Sequence, residues 1–297
     1  MNDPSHPTSS HPTSSHPVGA TPSGGLEPAR RARLLAVVAA GAPPAPPGML
    51  ANGLTFGWRA MLKLKHMPEQ LFDVVVTPIM FVVMFTYLFG GALAGSPIAY
   101  LQFLLPGILV QTVMFNASHA AVTLNTDLSK GIYDRFRSMP VWRPGPLAGA
   151  MVADGMRHTI SSLIVIAVGM AMGFRPEAGA PGMLLAILLM VAFALGFGWL
   201  FTLLALSLRT PGTVTTMTWL ILMPVTFASN IFVDPATMPD WLAALVGVNP
   251  VALLVTAVRG LMAGTATAEM IGLALLGPAA ITLVCAPLAM RLYRRER

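Results

Sequence analysis

The sequence predicts an all-α polytopic membrane protein with six transmembrane helices, and three observations predict it. Of 297 residues, 55% are hydrophobic and only 10% charged, where a soluble domain carries roughly 25% charged residues. Mean hydropathy is +0.70. Uncharged runs are long enough to cross a bilayer: no Asp, Glu, Lys or Arg occurs from Val74 to Thr126, and none from His158 to Phe174. The positive charges are also sorted by side. With six spans and the N-terminus inside, Arg59, Lys63, Lys65, Lys130, Arg135, Arg137, Arg143, Arg209, Arg291, Arg294, Arg295 and Arg297 fall inside, against Arg175 and Arg259 outside. Inner loops carry that excess of Lys and Arg. A multi-pass protein of the cell membrane with both termini in the cytoplasm is expected.

Residues 1–48 hold ten of the 26 prolines and open on the near-repeat Ser5-His6-Pro7-Thr8-Ser9-Ser10-His11-Pro12-Thr13-Ser14-Ser15-His16-Pro17. Such a composition cannot bury enough apolar surface to offset ordering, so a disordered cytoplasmic tail is expected there. Its histidines lack further ligands, and no metal site is expected. Arg30-Arg31-Ala32-Arg33 followed by Leu34 to Ala40 imitates a secretion signal. Its apolar core is at the bottom of the working range. Cleavage at Ala40-Gly41-Ala42 would place the new N-terminus outside, against the basic cluster at Arg59, Lys63 and Lys65, so the reading is rejected.

The membrane domain then covers 49–297. Leu50 to His66 aligns Leu54, Trp58, Met61, Leu62 and Lys65, an amphipathic interfacial helix, which Pro68 ends. The six spans are expected at about 74–94, 101–124, 153–173, 183–206, 213–233 and 270–290, with Gly95-Ser96-Pro97 turning the chain after the first. The uncharged stretch 241–258 is cut by Asn249-Pro250, and its halves are too short to cross. A seventh crossing there would also carry the four C-terminal arginines outside. A re-entrant helical hairpin from the outer side, turning at Asn249 and Pro250, is the expected form.

Between the second and third spans lies a charged island, Asp127-Leu-Ser-Lys-Gly-Ile-Tyr-Asp-Arg-Phe-Arg-Ser-Met-Pro140, within an inner loop at 127–146. If helical from about Ser129, it aligns Ile132, Phe136 and Met139 on one face and leaves Lys130, Asp134, Arg135 and Arg137 elsewhere on the cylinder. Periodicity leaves two readings open: a helix on lipid headgroups, or one docking a soluble partner.

Polar residues inside apolar spans are the remaining candidates. Thr112, Asn116, His119 and Thr123 form a stripe at i, i+4, i+7 and i+11 in the second span, and the fifth carries Thr215, Thr218, Thr226 and Ser229. They serve either a transport pathway or hydrogen bonds between helices. Asp154 and Arg157 can pair across one helical turn near the inner interface. His158 beside them stands without the chain of ionisable groups that proton coupling needs. Cys285, the only cysteine, lies in an apolar run and is expected to pack as a small apolar residue. No zinc signature, nucleophile elbow, paired carboxylates or G-x-x-x-x-G-K-[ST] phosphate loop occurs, so no catalytic residue is expected and no cofactor bound by this chain. The cations sit between spans, so nucleic acid is not needed as a partner.

Three stretches together resemble the permease subunits of type-2 ABC exporters, nearest the daunorubicin/doxorubicin resistance permeases. They are Met67-Pro68-Glu69-Gln70-Leu71-Phe72-Asp73 running into Pro78-Ile79-Met80-Phe81; Lys130-Gly131-Ile132 with Arg135 and Arg137-Ser138-Met139-Pro140; and Met238-Pro239 through Asn249-Pro250 to Arg259-Gly260-Leu261. The resemblance covers about residues 50–295. It implies six spans, a coupling helix over Ser129 to Met139, and a re-entrant turn at Asn249-Pro250. Lys130, Ile132, Tyr133, Asp134, Arg135, Phe136, Arg137 and Met139 would then meet a separately encoded ATPase subunit holding ATP and Mg. It further implies two permease copies with the path between them and a small hydrophobic drug or lipid-like substrate. The family's island often begins with Glu, where this chain has Asp127 to Lys130. A glycan exporter shares this architecture, but the 23 aromatic residues form no sugar track. A proton-coupled transporter or membrane-embedded enzyme would need intramembrane carboxylates or metal ligands, for which only Asp154 is a candidate.

Overall fold

The computed structural model describes residues 68–130 and 145–295. The N-terminal tail, the amphipathic helix expected at 50–66, and Ile132, Tyr133, Asp134, Arg135, Phe136, Arg137 and Met139 of the island lie outside the described residues. Helix α1 is Pro68–Ala94, α2 Pro97–Ser129, α3 Gly145–Ala171, α4 Gly179–Ser207 and α5 Pro211–Phe227. A 3-10 turn at Pro235–Thr237 precedes α6 (Asp240–Val248), α7 (Pro250–Ala263) and α8 (Ala268–Arg295). No strand occurs among the described residues. Five of these helices (α1, α2, α3, α4 and α8) are long and apolar enough to cross a membrane, or six crossings result if the bent pair α6–α7 counts as one. The chain is a multi-pass membrane protein.

Residues that start and stop helices set these boundaries. Gly95 takes the left-handed conformation (φ 72°) between α1 and α2. Ser96 Oγ then accepts the Ala99 amide at 3.2 Å, and Pro97 sits at the first helical position, where its missing amide hydrogen matters least. Thr210 and Pro211 repeat the device at the start of α5, with Thr210 Oγ1 accepting from the Thr213 amide at 3.3 Å. Gly264 (φ 77°) closes α7.

Two elements differ from their sequence expectation. The charged island does not begin as a separate helix, because α2 continues through Asp127, Leu128 and Ser129 to reach 33 residues, about 50 Å. Lys130 is the turn residue that ends it, its amide donating to Thr126 O at 3.1 Å. Nothing from 125 to 129 breaks a helix, so hydrogen bonding carries on past the apolar run. The span expected at 213–233 is helical only through Phe227, giving 17 residues, about 25 Å and the lower limit for crossing. Residues 228–234 continue as irregular backbone.

Helix α2 forms the centre, packed on α1, α3, α4, α5 and α7, while α8 lies mainly along α4. Leu101, Leu104, Leu105, Ile108 and Leu109 are fully buried. Met80, Tyr87 and Leu88 of α1 and Leu276, Leu283 and Val284 of α8 point outward from the bundle, as side chains facing lipid do. Glycines mark the closest approaches: a Cβ on Gly107 would lie 2.8 Å from Ile231 O, and one on Gly277 2.8 Å from Pro250 Cβ.

The break at Asn249-Pro250 bends α6 and α7 by 80°. Asn249 Oδ1 accepts the Val251 amide at 2.9 Å and so caps α7. Its Nδ2 donates at 2.7 Å to both Val225 O and Ala228 O, carbonyls at the C-terminal end of α5. One buried amide therefore begins one helix and ends another. Arg259, one residue before Gly260 on α7, lies with its guanidinium 3.8 Å over the Phe103 ring. It donates to Phe103 O (3.3 and 3.1 Å) and to Asn230 O (3.1 Å). The Tyr100 hydroxyl donates to Phe232 O at 2.9 Å, and Asn230 Nδ2 to Thr256 Oγ1 at 2.9 Å. The irregular segment after α5 is thus held by donors from α2 and α7. Along α6, by contrast, Trp241, Leu245 and Val248 face outward at i, i+4 and i+7.

Replacing Asn249 by Ala should lower unfolding stability in detergent by about 2 kcal/mol, the sum of a lost cap and two modest hydrogen bonds. Asn249→Asp keeps the capping oxygen but sets a carboxylate against two carbonyls. It should destabilise at least as much as Ala in the same denaturation measurement; an Asp variant as stable as the parent would refute the bridging role.

Candidate functional site

The stripe on α2 is divided by the structure. Thr112 is buried and its hydroxyl donates to Ile108 O of its own helix at 2.7 Å; Thr123 does the same to His119 O at 3.0 Å. Asn116 bonds across helices, its Nδ2 donating to Ser161 Oγ of α3 at 2.9 Å, and Ser161 in turn donates to His158 O at 3.2 Å. His119 is exposed. On α5, Thr215 donates to Pro211 O at 3.0 Å and Thr218 to Thr215 O at 2.9 Å, so both hydroxyls are held by their own helix. Next to them, Trp219 of α5 meets Phe115 of α2 with ring centroids 5.3 Å apart. Phe115 precedes His119 by one helical turn. The stripe therefore includes one helix-to-helix tie and one exposed imidazole, with an aromatic contact above it.

Two groups of residues outside the stripe carry more connections than its members. Asn125, one turn from the end of α2, is buried and donates at 2.7 Å to both Ala205 O and Leu208 O, carbonyls at the C-terminal end of α4. At the other end of α2, Gln102 Nε2 donates to Gly173 O (3.1 Å) and its Oε1 accepts the Arg175 amide (3.2 Å). The Arg175 guanidinium donates at 3.0 Å to Met170 O, in the last turn of α3, and to Phe174 O just beyond it. Sequence periodicity does not find Asn125 or Gln102, because each is a single amide off the stripe. The available signal is positional: an amide side chain within about a turn of a helix end, where free carbonyls occur.

Asp154 and Arg157 do pair, with Nη1 3.2 Å from Oδ1. A small cleft of about 50 Å³ opens beside Asp154, between α2, α3 and α4. Its walls are mostly apolar and small, including Ala117 and Ala121 of α2 and Ala194 and Gly198 of α4, with Asp154, His158 and Thr202 as the polar members. His158 is buried, and its Nδ1 has no hydrogen-bond partner. Among the described residues, no three His, Cys, Asp or Glu side chains gather as metal ligands would.

Substituting Asn125 by Leu keeps the volume and leaves two carbonyls of α4 without a donor. The change should lower stability by about 1–2 kcal/mol, whereas Asn116→Leu, which removes one interhelical bond, should lower it by about 0.6 kcal/mol. Denaturant titration of the purified protein would rank them, and equal effects would count against a special role for Asn125.

The chain matches the family model described as ABC-2 type transporter over residues 53–263. It is 42% identical over 264 residues to a daunorubicin resistance ABC transporter permease protein of Streptomyces coeruleorubidus, which covers 89% of this chain and 93% of that protein. It is 27% identical over 224 residues to a probable doxorubicin resistance ABC transporter permease protein of Mycobacterium tuberculosis, covering 74% and 80%. A putative transport permease of Cyanophora paradoxa shares 23% identity over 205 residues, covering 68% and 70%. The helical membrane fold and these matches agree, and the chain belongs to the ABC-2 type transporter family as a membrane permease.

Proposed function

We propose that this permease is the transmembrane subunit of an ATP-driven exporter that moves a hydrophobic drug or lipid-like molecule out of the cell. The motor is a separately encoded ATPase subunit that holds ATP and Mg, and two permease copies form the path between them. The cargo class rests on the relatives, whose names record daunorubicin and doxorubicin resistance. The absence of a phosphate-loop motif from the whole sequence agrees with a motor on another chain. Both termini are assigned to the cytoplasm on the distribution of Lys and Arg.

The observation that carries the mechanism is the continuity of α2. It runs unbroken from the turn at Gly95-Ser96 to Lys130, the first coupling residue of the island. Ile132, Tyr133, Asp134, Arg135, Phe136, Arg137 and Met139 follow and form the docking surface for the motor. When ATP draws two ATPase subunits together, the islands move with them and act on the inner ends of α2 and α3. The inner end of α2 is tied to α4 through Asn125, so α4 is drawn along. The outer part of α2 holds α7 through Arg259 and residue 232 through Tyr100. The permease contributes differential affinity of two arrangements for cargo, and no bond-making step. His119 and the Phe115–Trp219 pair are its pathway candidates, with Thr112, Asn116, Thr123, Thr215 and Thr218 supporting the surrounding helices. Asn249-Pro250 turns the re-entrant element on the outer side.

Glycan export is less well supported. Phe193, Phe197 and Phe201 of α4 contact one another in the buried core, with centroids 5.6 Å apart in each neighbouring pair, and line no open track.

Phe136→Ala and Arg135→Glu should each reduce ATP-driven export in membrane vesicles by roughly tenfold, within the usual range of coupling energies, while ATP hydrolysis continues. Transport and hydrolysis both at parental rates in both variants would remove the island from the coupling path.

A further inference from the structure

We propose that the cleft between α2, α3 and α4 is a binding site for the primary ammonium head of an amphiphile, with Asp154, His158 and Thr202 as its acceptors. The three polar side chains of the wall are a carboxyl, an imidazole and a hydroxyl, each of which can offer an oxygen or nitrogen lone pair. Arg157 is not part of the wall, so no guanidinium faces the space; it engages Asp154 from outside the cleft, Nη1 on Oδ1 at 3.2 Å. A carboxylate has about four lone-pair positions, and one such contact leaves capacity for a second donor. A primary ammonium brings three N–H donors and no acceptor, which matches this wall group for group.

His158 is the one residue of the wall with a buried atom left unpartnered. It is 2% exposed, lies one helical turn after Asp154 and lines the cleft, yet its Nδ1 has no partner. Buried polar atoms are normally paired. Space and position agree with a head group. The volume of about 50 Å³ admits a few non-hydrogen atoms at roughly 10–15 Å³ for one water-sized probe, so the tail must lie elsewhere. Asp154 comes five residues after the start of the apolar stretch of α3 at Gly149, about 7 Å deep. That is just beneath the head groups, on the side of the 127–146 loop. The proposal deepens the export reading, on which it rests for assigning that side to the cytoplasmic leaflet. An ammonium head there can belong to a free amphiphilic amine or to a phosphatidylethanolamine lipid.

Equilibrium titration of the purified full-length chain in neutral detergent tests the site without nucleotide or motor, with chain-free micelles as the blank. Dodecylammonium should bind saturably and at least about tenfold more tightly than dodecanol, the scale of a hydrogen bond to a charged group. Asp154→Asn should abolish that preference. A Cβ on Gly198 meets nothing within 4 Å, so Gly198→Val should fill the cleft and reduce dodecylammonium binding while the thermal unfolding temperature stays unchanged. Competition by phosphatidylethanolamine but not phosphatidylglycerol would support the site with lipid as its source. Competition by neither would support it with a free amine as the source. Equal binding of amine and alcohol by the parent, or a preference that survives in both variants, would overturn it. Ammonium binding without ATP-driven export would leave the site standing and remove the export reading; export without the preference would do the reverse.

Discussion

A helix that stops inside a bilayer leaves carbonyl oxygens with no water to turn to, and this fold depends on side-chain donors that reach them. Three helix ends and one irregular segment are treated in this way. Asn125 serves the end of α4, Asn249 the end of α5, and Arg175 the end of α3. Arg259 and Tyr100 serve the irregular segment after α5, whose backbone would otherwise be buried unsatisfied. Each donor comes from a different helix than the carbonyl it serves, except Arg175, which follows its own. The bonds that complete one element therefore fix its neighbour. Dispersion packing of Leu and Phe can be satisfied in several registers; an amide aimed at two particular carbonyls cannot.

The same constraint explains which features of the fold are legible in the sequence. Apolar runs, Gly95-Ser96-Pro97 and Asn249-Pro250 can be read because composition and local turn chemistry act within a few residues. The helical extent of α2 beyond residue 124 is not marked by hydropathy, since Asn125 to Ser129 are polar yet contain no helix breaker. The early end of α5 is equally silent: Thr226 to Val233 look as apolar as the residues before them. What ends that helix is Asn249, 22 residues after Phe227, supplying the hydrogen bonds that further helical turns would have made. Arg259 illustrates the limit of charge counting. Its position over Phe103 depends on a partner 156 residues away, which a count of charges does not mark.

Polarity within a span is likewise a poor guide to function until its partners are known. By spacing, Thr112, Asn116, His119 and Thr123 form one stripe, yet two hydroxyls bond to their own backbone and one amide crosses to Ser161. Thr215 and Thr218 behave as the other helical threonines do. Of the buried side-chain atoms left without a partner, His158 Nδ1 is the one on the wall of the cleft; it belongs to a different helix from the stripe and has no periodic signature. A side chain whose bonds are complete has a structural account. One left incomplete in a cleft invites a chemical one.

Movement of α2 follows from where it is fastened. Pro106 cannot donate to Gln102 O, four residues back, and Gly107 lets Ile231 approach the helix closely. Those two residues lie between the contacts at Tyr100, Gln102 and Phe103 and the contact at Asn125. Asn125 is only five residues from Lys130, so that end of α2 is fastened directly to α4. Between that end and the contacts to Arg259 and the irregular segment lies Pro106-Gly107, where one helical hydrogen bond is missing within the buried core. The two ends of the central helix are consequently fastened to different neighbours on either side of a proline while remaining one element.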